Sequence, residues 1–417
     1  MLSFFTTRKE VFKCPSLKHH LMQGRMLSVC FIFLVAVLYS PLATVGNSKL
    51  YYSAQNEDCS ILNELDFNGT RAYSDIEWQI SLGPRLPESI ASLNFRENLS
   101  SMLLDLGFEV QLNEHQHQNY NFTNVQARYS PLTNNSSELP RVVLSAHYDS
   151  RNHADRDTNV SYHSQPIDGA NDGGSGTAVL MEIARLIPML DLQYTIELLW
   201  TDAEDQDSNF TLGAKAWAEN LTREEIESID SFILLDMVGD RDLRLQKISP
   251  GNDSLYTQIS SIAHILGYAN ASTCQTDFPL GILDYSNTSF VFDDHVHPHQ
   301  LGIPSIDIMD PVYGNETTNG FGSLWHTMND TIDNVSPESL LAVGRIVEYG
   351  LLNDMFIDFY TPNKTINEVE SNSSQNEQNT TTSGHSSSNV YQMTLLISVP
   401  MLCFIAIIYR RSTSRAR

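Results

Sequence analysis

The stretch Asp168-Gly-Ala-Asn-Asp-Gly-Gly-Ser-Gly-Thr-Ala-Val-Leu-Met-Glu-Ile-Ala-Arg-Leu-Ile187 changes character halfway along. Its first half is small residues and glycines, which let a backbone turn sharply and approach a neighbouring group closely. Its second half carries Ala178, Met181, Ile183, Ala184 and Ile187 at helical spacing and predicts a buried helix over 177–190. Asp172 stands at the junction, held by rigid structure and facing an open end. A carboxylate there is either a helix cap or a ligand for a hard cation. The flanking segments bear on that choice.

Working outward, Arg141-Val-Val-Leu-Ser runs into Ala146-His-Tyr-Asp-Ser, and Tyr194-Thr-Ile-Glu-Leu-Leu-Trp-Thr ends at Asp202-Ala-Glu-Asp. Ser231-Phe-Ile-Leu-Leu-Asp-Met-Val and residues 303–308 are further apolar runs. Runs of this length predict strands buried on both faces. Helical patterns cover 73–108 (interrupted at Gly83-Pro84), 214–221, 254–266 and 337–358, and two more strands are expected from Phe108 and over 122–128. Strands alternating with helices imply an α/β domain, a mostly parallel mixed sheet with helices on both faces.

In such sheets ligands gather at the carboxyl ends of the strands. His147 and Asp149 follow one strand, Glu204 and Asp205 the next, and Asp236 ends another; His326 lies in Leu324-Trp-His-Thr beyond a fourth. Each alone has a structural explanation. Together with Asp172 they do not, because buried carboxylates repel one another unless a cation neutralises them. Aspartate, glutamate and histidine are the oxygen and nitrogen ligands of zinc, so a zinc-type site is the economical reading. Gly173-Gly-Ser-Gly-Thr fails as a nucleophile elbow, since Thr177 stands where the last glycine belongs, and it lacks the Gly-Lys-Ser/Thr ending of a phosphate loop. His115-Gln-His117 reads as exposed loop. Of His295-Val-His-Pro-His299, His295 is expected nearest the site.

The ends differ in kind from this middle. Residues 1–46 read as a signal peptide or signal anchor, a basic stretch before the apolar run 27–39. Residues 47–362 form the lumenal domain, 363–391 a disordered, glycosylated stalk, 392–409 a transmembrane helix and 410–417 a basic cytosolic tail. This orientation places the domain in the lumen of the secretory pathway or outside the cell. Asn-x-Ser/Thr sequons at Asn68, Asn98, Asn121, Asn159 and further positions suit a glycosylated surface. The net charge of −25 argues against nucleic acid as a partner. Cys59 and Cys274 are the only cysteines of the lumenal part, and nothing in the sequence places them close together.

Ala146-His-Tyr-Asp-Ser, Gly169-Ala-Asn-Asp, Asp202-Ala-Glu-Asp, Leu235-Asp-Met-Val-Gly and Trp325-His-Thr-x-x-Asp, in this order, resemble the zinc aminopeptidase superfamily. Within it the chain is most similar to the animal-type glutaminyl cyclases and their microbial relatives, over residues 73–359. The resemblance implies a three-layer sandwich of the zinc-exopeptidase type and one zinc held by Asp172, Asp205 and His326. It further implies Glu204 as the proton shuttle, Asp236 beside the attacking amine, Asp293 in a neighbouring hydrogen-bonded network, and Trp325 as a pocket wall, with Asp307 and His295 added as pocket candidates. In the aminopeptidases His147 and Asp236 would hold a second zinc bridged by Asp172. Three departures stand out. Asp205 replaces the glutamate of animal cyclases, Asp307 a histidine, and no tryptophan follows Asp205 closely. If Asp293 and Asp307 touch, they are expected to share a proton. The activity implied is formation of N-terminal pyroglutamate from peptides or proteins that begin with glutamine. The alternatives are a metallo-aminopeptidase with two zincs and an inactive peptidase-like binding domain.

Overall fold

The computed structural model describes residues 59–359, apart from 118–119, 132–138, 207–208, 270–273, 275–276 and 318–319. The expected leader, stalk, membrane segment and tail lie outside the described residues. No helix among those described is long and apolar enough to cross a membrane.

Helices α1 (Gly69–Ser81) and α2 (Ile90–Asp105) precede strands β1 (Glu109–His117), β2 (Tyr120–Tyr129) and β3 (Arg141–His147). Next come α3 (Gly174–Leu186), β4 (Thr195–Thr201), the two-residue strands β5 (Asp205–Gln206) and β6 (Asn209–Phe210), then α4 (Leu212–Glu219) and α5 (Arg223–Ser228). The rest is β7 (Ile229–Asp236), β8 (Leu245–Ser249), α6 (Asp253–Ile265), β9 (Leu283–Phe290), α7 (Val296–Gln300), β10 (Ser305–Met309) and α8 (Pro337–Leu352). Eight strands form one mixed sheet in the order β1-β2-β4-β3-β7-β10-β8-β9, while β5 and β6 pair with each other. The centre is parallel: β4, β3, β7 and β10 run together, so their carboxyl ends share one edge.

Both faces of that centre are apolar, which is why its strands show no alternation in sequence. Val142, Leu144, Ile196, Leu198 and Ile233 join the main core. Their neighbours Val143, Leu199, Phe232 and Leu234 join a second cluster on the opposite face, with Trp217 of α4. Helices α1, α3 and α8 contact one another over the main core. Buried Glu182 of α3 ties this layer together, accepting bonds from Arg71 (2.5 and 2.6 Å), Arg185 (3.0 Å) and the Asn68 backbone N–H (3.1 Å). An ideal Cβ on Gly176 would lie 2.0 Å from the Leu235 carbonyl oxygen, so α3 rests on β7 at a distance only glycine permits.

The structure departs from expectation in several places. His115 and His117 lie in edge strand β1 rather than in a loop, and His115 packs on Phe122 of β2 with ring centroids 5.5 Å apart. Strands β8 and β9 were unforeseen, because they sit at the far edge and carry polar residues. Helix α8 stops at Leu352, and the chain then turns through Asp354 (φ 53°) to bury Phe356. Cys59 and Cys274 form a disulfide with a Cα–Cα distance of 5.4 Å across 215 residues of sequence.

Candidate metal centre

The residue that caps α3 is Gly173 (φ 57°), and no side chain caps that helix. The Asp172 carboxylate is therefore not spent on capping the helix. An ideal Cβ at Gly173 would sit 2.8 Å from the His147 ring, so the glycine lets the turn close on β3. Asp330 holds the same turn from outside, accepting the backbone N–H of Asn171 (2.8 Å) and of Asp172 (3.2 Å). Asp149 does the same for the turn after β4: it accepts the N–H of Glu204 (3.0 Å), the N–H of Asp205 (3.1 Å) and the Gln206 amide (2.8 Å). Left-handed non-glycine residues occur at Ala203 (φ 55°), Met237 (φ 45°) and His326 (φ 55°), each at or next to a site residue. Such conformations persist only where their surroundings impose them.

These turns bring ligand atoms of Asp172, Asp205 and His326 within 4.8 Å of one another, all three residues buried. His326 Nε2 lies 3.0 Å from Asp205 Oδ2 and 3.5 Å from Asp172 Oδ2. Neither oxygen has a hydrogen-bond partner. Two buried acceptors left unsatisfied beside an imidazole nitrogen fit a divalent ion of the zinc type, for which the donor set is suited. A second group shares Asp172: His147 Nε2 is 3.2 Å from Asp172 Oδ1 and 3.2 Å from Asp236 Oδ1. Here one oxygen of the aspartate, Asp236 Oδ1, lies against His147 and also accepts the Met237 N–H at 2.8 Å.

A cavity of about 250 Å³ opens over the centre, lined by Asp172, Glu204, Asp205, Asp236, Asp293 and His326. Its walls are Phe210, Phe292, Phe321 and Trp325, with Val291 and Met309. The Trp325 ring stacks on His326 at 3.5 Å between centroids. Phe210, at the end of the small β5–β6 hairpin, supplies the aromatic wall after Asp205 for which the sequence offered no tryptophan. Asp307 and His295, expected in the pocket, are corrected by the structure. Both are fully buried and neither lines the cavity. Asp307 is an interior residue of β10, and His295 Nε2 is taken up by the Pro250 carbonyl at 2.8 Å. Sequence reasoning also missed Asp294, whose Oδ2 accepts the Thr201 hydroxyl at 2.5 Å, and Asp155, which lies 3.3 Å from His326 Nδ1.

Burial dominates the electrostatics. It pushes the Glu204 carboxyl well above the usual carboxylate range; His147 opposes this, while the charges of Asp293, Asp205 and Asp294 add to it. Burial likewise holds Asp293 and Asp307 well above the usual carboxylate range, Asp307 being raised next by Asp293. Against the opposing effect of burial, Asp205, Asp155 and Asp172 raise His326 to about 9 in the metal-free protein.

A mixed sheet at whose carboxyl edge buried Asp172, Asp205 and His326 converge beside Glu204 has the arrangement of an exopeptidase-like fold with a candidate metal centre. The sequence model of Peptidase family M28 matches residues 124–351, and the chain belongs to that family, in the glutaminyl cyclase branch of the zinc aminopeptidase superfamily. It is 25% identical to glutaminyl-peptide cyclotransferase of Drosophila melanogaster over 295 residues, 63% of this chain and 76% of that protein. It is 28% identical to aminopeptidase YwaD of Bacillus subtilis over 206 residues, 49% of this chain but only 39% of the aminopeptidase. The crystal structure of Tannerella forsythia glutaminyl cyclase superposes with a TM-score of 0.60 at 31% identity, covering 69% of this chain and 99% of that one. A zinc-dependent exopeptidase from Parabacteroides distasonis superposes with 0.59 at 31% identity and the same coverage.

Proposed function

We propose that this chain is a glutaminyl-peptide cyclotransferase that closes N-terminal glutamine into pyroglutamate, with one zinc ion held by Asp172, Asp205 and His326. The observation that carries the reading is the contrast between the two ligand groups. Oδ2 of Asp172 and Oδ2 of Asp205 are unsatisfied, whereas Asp236 Oδ1 already accepts the Met237 N–H at 2.8 Å. That asymmetry supports one ion rather than two, and a single ion suits attack by the substrate's own amine.

When bound, the ion supplies Lewis acidity to the side-chain amide carbonyl of the substrate. The small cavity holds that side chain against Trp325 and Phe210, so amine and amide are kept together. The α-amine nitrogen bonds to the amide carbon, the carbon–nitrogen bond to the side-chain amide breaks, and ammonia leaves. Glu204 passes the amine proton to the departing nitrogen, burial having raised its affinity for a proton. Asp236 and Asp293, on the same cavity, accept hydrogen bonds from the amine. The proposed setting is the lumenal or extracellular side of a secretory-pathway membrane, with residues 392–409 as the anchor. The Cys59–Cys274 bond supports an oxidising compartment.

Incubation of the purified chain with a glutamine-initiated and a leucine-initiated peptide, read by mass spectrometry and ammonia assay, tests this. Cyclisation with stoichiometric ammonia is expected. Release of free N-terminal residues without ammonia would overturn it in favour of a metallo-aminopeptidase. That second reading has its own support, since Asp172 turns one oxygen to each ligand group. It requires two zinc ions per chain by metal analysis.

A further inference from the structure

We propose that Arg151 is a positioning residue that locks two of the three ligands of the metal centre through one guanidinium; the inference rests on the metal-centre reading above. Nη1 of Arg151 donates to Asp205 Oδ1 at 3.0 Å, which leaves Oδ2, the oxygen beside His326 Nε2, as the one free to ligate. The same group grips Asp155, Nε to Oδ1 at 3.2 Å and Nη2 to Oδ2 at 3.4 Å. Asp155 Oδ1 in turn stands 3.3 Å from His326 Nδ1, an ion-pair contact without hydrogen-bond geometry, on the ring edge opposite the ligating nitrogen. A single planar fork therefore sets the rotation of the Asp205 carboxylate directly and holds the Asp155 charge against the His326 ring.

The fork is itself immobilised. The Arg151 side chain is 6% exposed, its guanidinium lies 5.3 Å from the centre of the Phe210 ring, and its carbonyl accepts the Ile167 N–H at 3.1 Å. The shortness of the residue at 205 gives this clamp its purpose. Aspartate has one methylene less reach than glutamate, so the oxygen it presents must be fixed by a partner rather than found by a longer, adaptable side chain.

A positive charge this close to a cation site has an obvious competing role, namely to neutralise excess carboxylate. The two roles predict opposite signs. Removing a mere like charge would tighten binding of a divalent ion, whereas removing a clamp loosens it. The test is zinc affinity of the full-length chain, stripped of metal and titrated with zinc in competition with a chromophoric chelator. Arg151→Met is expected to weaken affinity about 10- to 100-fold, the range typical of lost outer partners of metal ligands. Arg151→Lys should recover part of it, because an ammonium reaches Asp205 or Asp155 but not both. Thermal unfolding of the metal-free forms establishes that each variant folds; if the Met variant does not, unchanged affinity in the Lys variant alone rejects the proposal. Zinc bound as tightly by Arg151→Met as by the unaltered chain, or more tightly, would overturn it. An unaltered chain that binds no zinc would remove the centre itself, a different and separately visible failure.

Discussion

Glu204 and Asp172 are buried carboxylates on one cavity, but Asp172 belongs to the group with Asp205 and His326, whereas Glu204 clusters separately with Asp293 and Asp294. Glu204→Gln is therefore expected to lower kcat about 10²- to 10⁴-fold, the range of a lost general acid–base, with zinc content unchanged. Asp172→Asn should lose zinc as well. Metal analysis beside steady-state kinetics separates the two, and zinc loss from Glu204→Gln would contradict the assignment. The acids and His326 were legible in the sequence because they stand where buried strands end, at positions packing does not explain. Whether a residue lines a cavity or lies behind its wall was not legible: Asp307 and His295 sit on elements beside the site, yet both are sealed from it. Phe210 and Arg151 were missed for the converse reason. An exposed phenylalanine after an acidic run, or an arginine after a strand, reads as surface until the turn that folds it inward is known.

The central strands and the helix after Asp172 were readable because a layer covered on both faces demands unbroken apolar runs. Strand β8 and edge strand β9 were not, since their residues are largely polar and resemble loop. The contact between α3 and β7 is the element-level feature that aligns Asp172 with Asp236. Its weak point is Gly176, where any side chain meets a backbone carbonyl that cannot move without shifting the strand. Gly176→Val is expected to cost about 3 kcal/mol or more, visible as a lower midpoint in urea unfolding of the metal-free chain. An unchanged midpoint would mean that the helix rides higher on the sheet than described.

For the molecule as a whole, metal and proton compete for one nitrogen. In the stripped protein His326 is raised to about 9, so the charge pairs around its imidazolium stabilise that form fully below about pH 6.5, and this support is lost as the pH climbs toward 9. Zinc must expel the same proton, so its affinity rises over the same window. Both trends act in one direction. The melting-temperature difference between zinc-loaded and stripped chain should widen from pH 6 to pH 8.5, and scanning calorimetry showing a constant or narrowing gap would contradict the ligand role of His326. The compact volume above the centre carries a further consequence. At about 250 Å³ it falls below the ~300–1,000 Å³ of most drug-sized ligand sites, and folded loops and chain interiors are too bulky to enter. On the proposed cyclotransferase reading, a client would need a free leading end, and an earlier proteolytic cut that exposes it would set the timing of this chemistry.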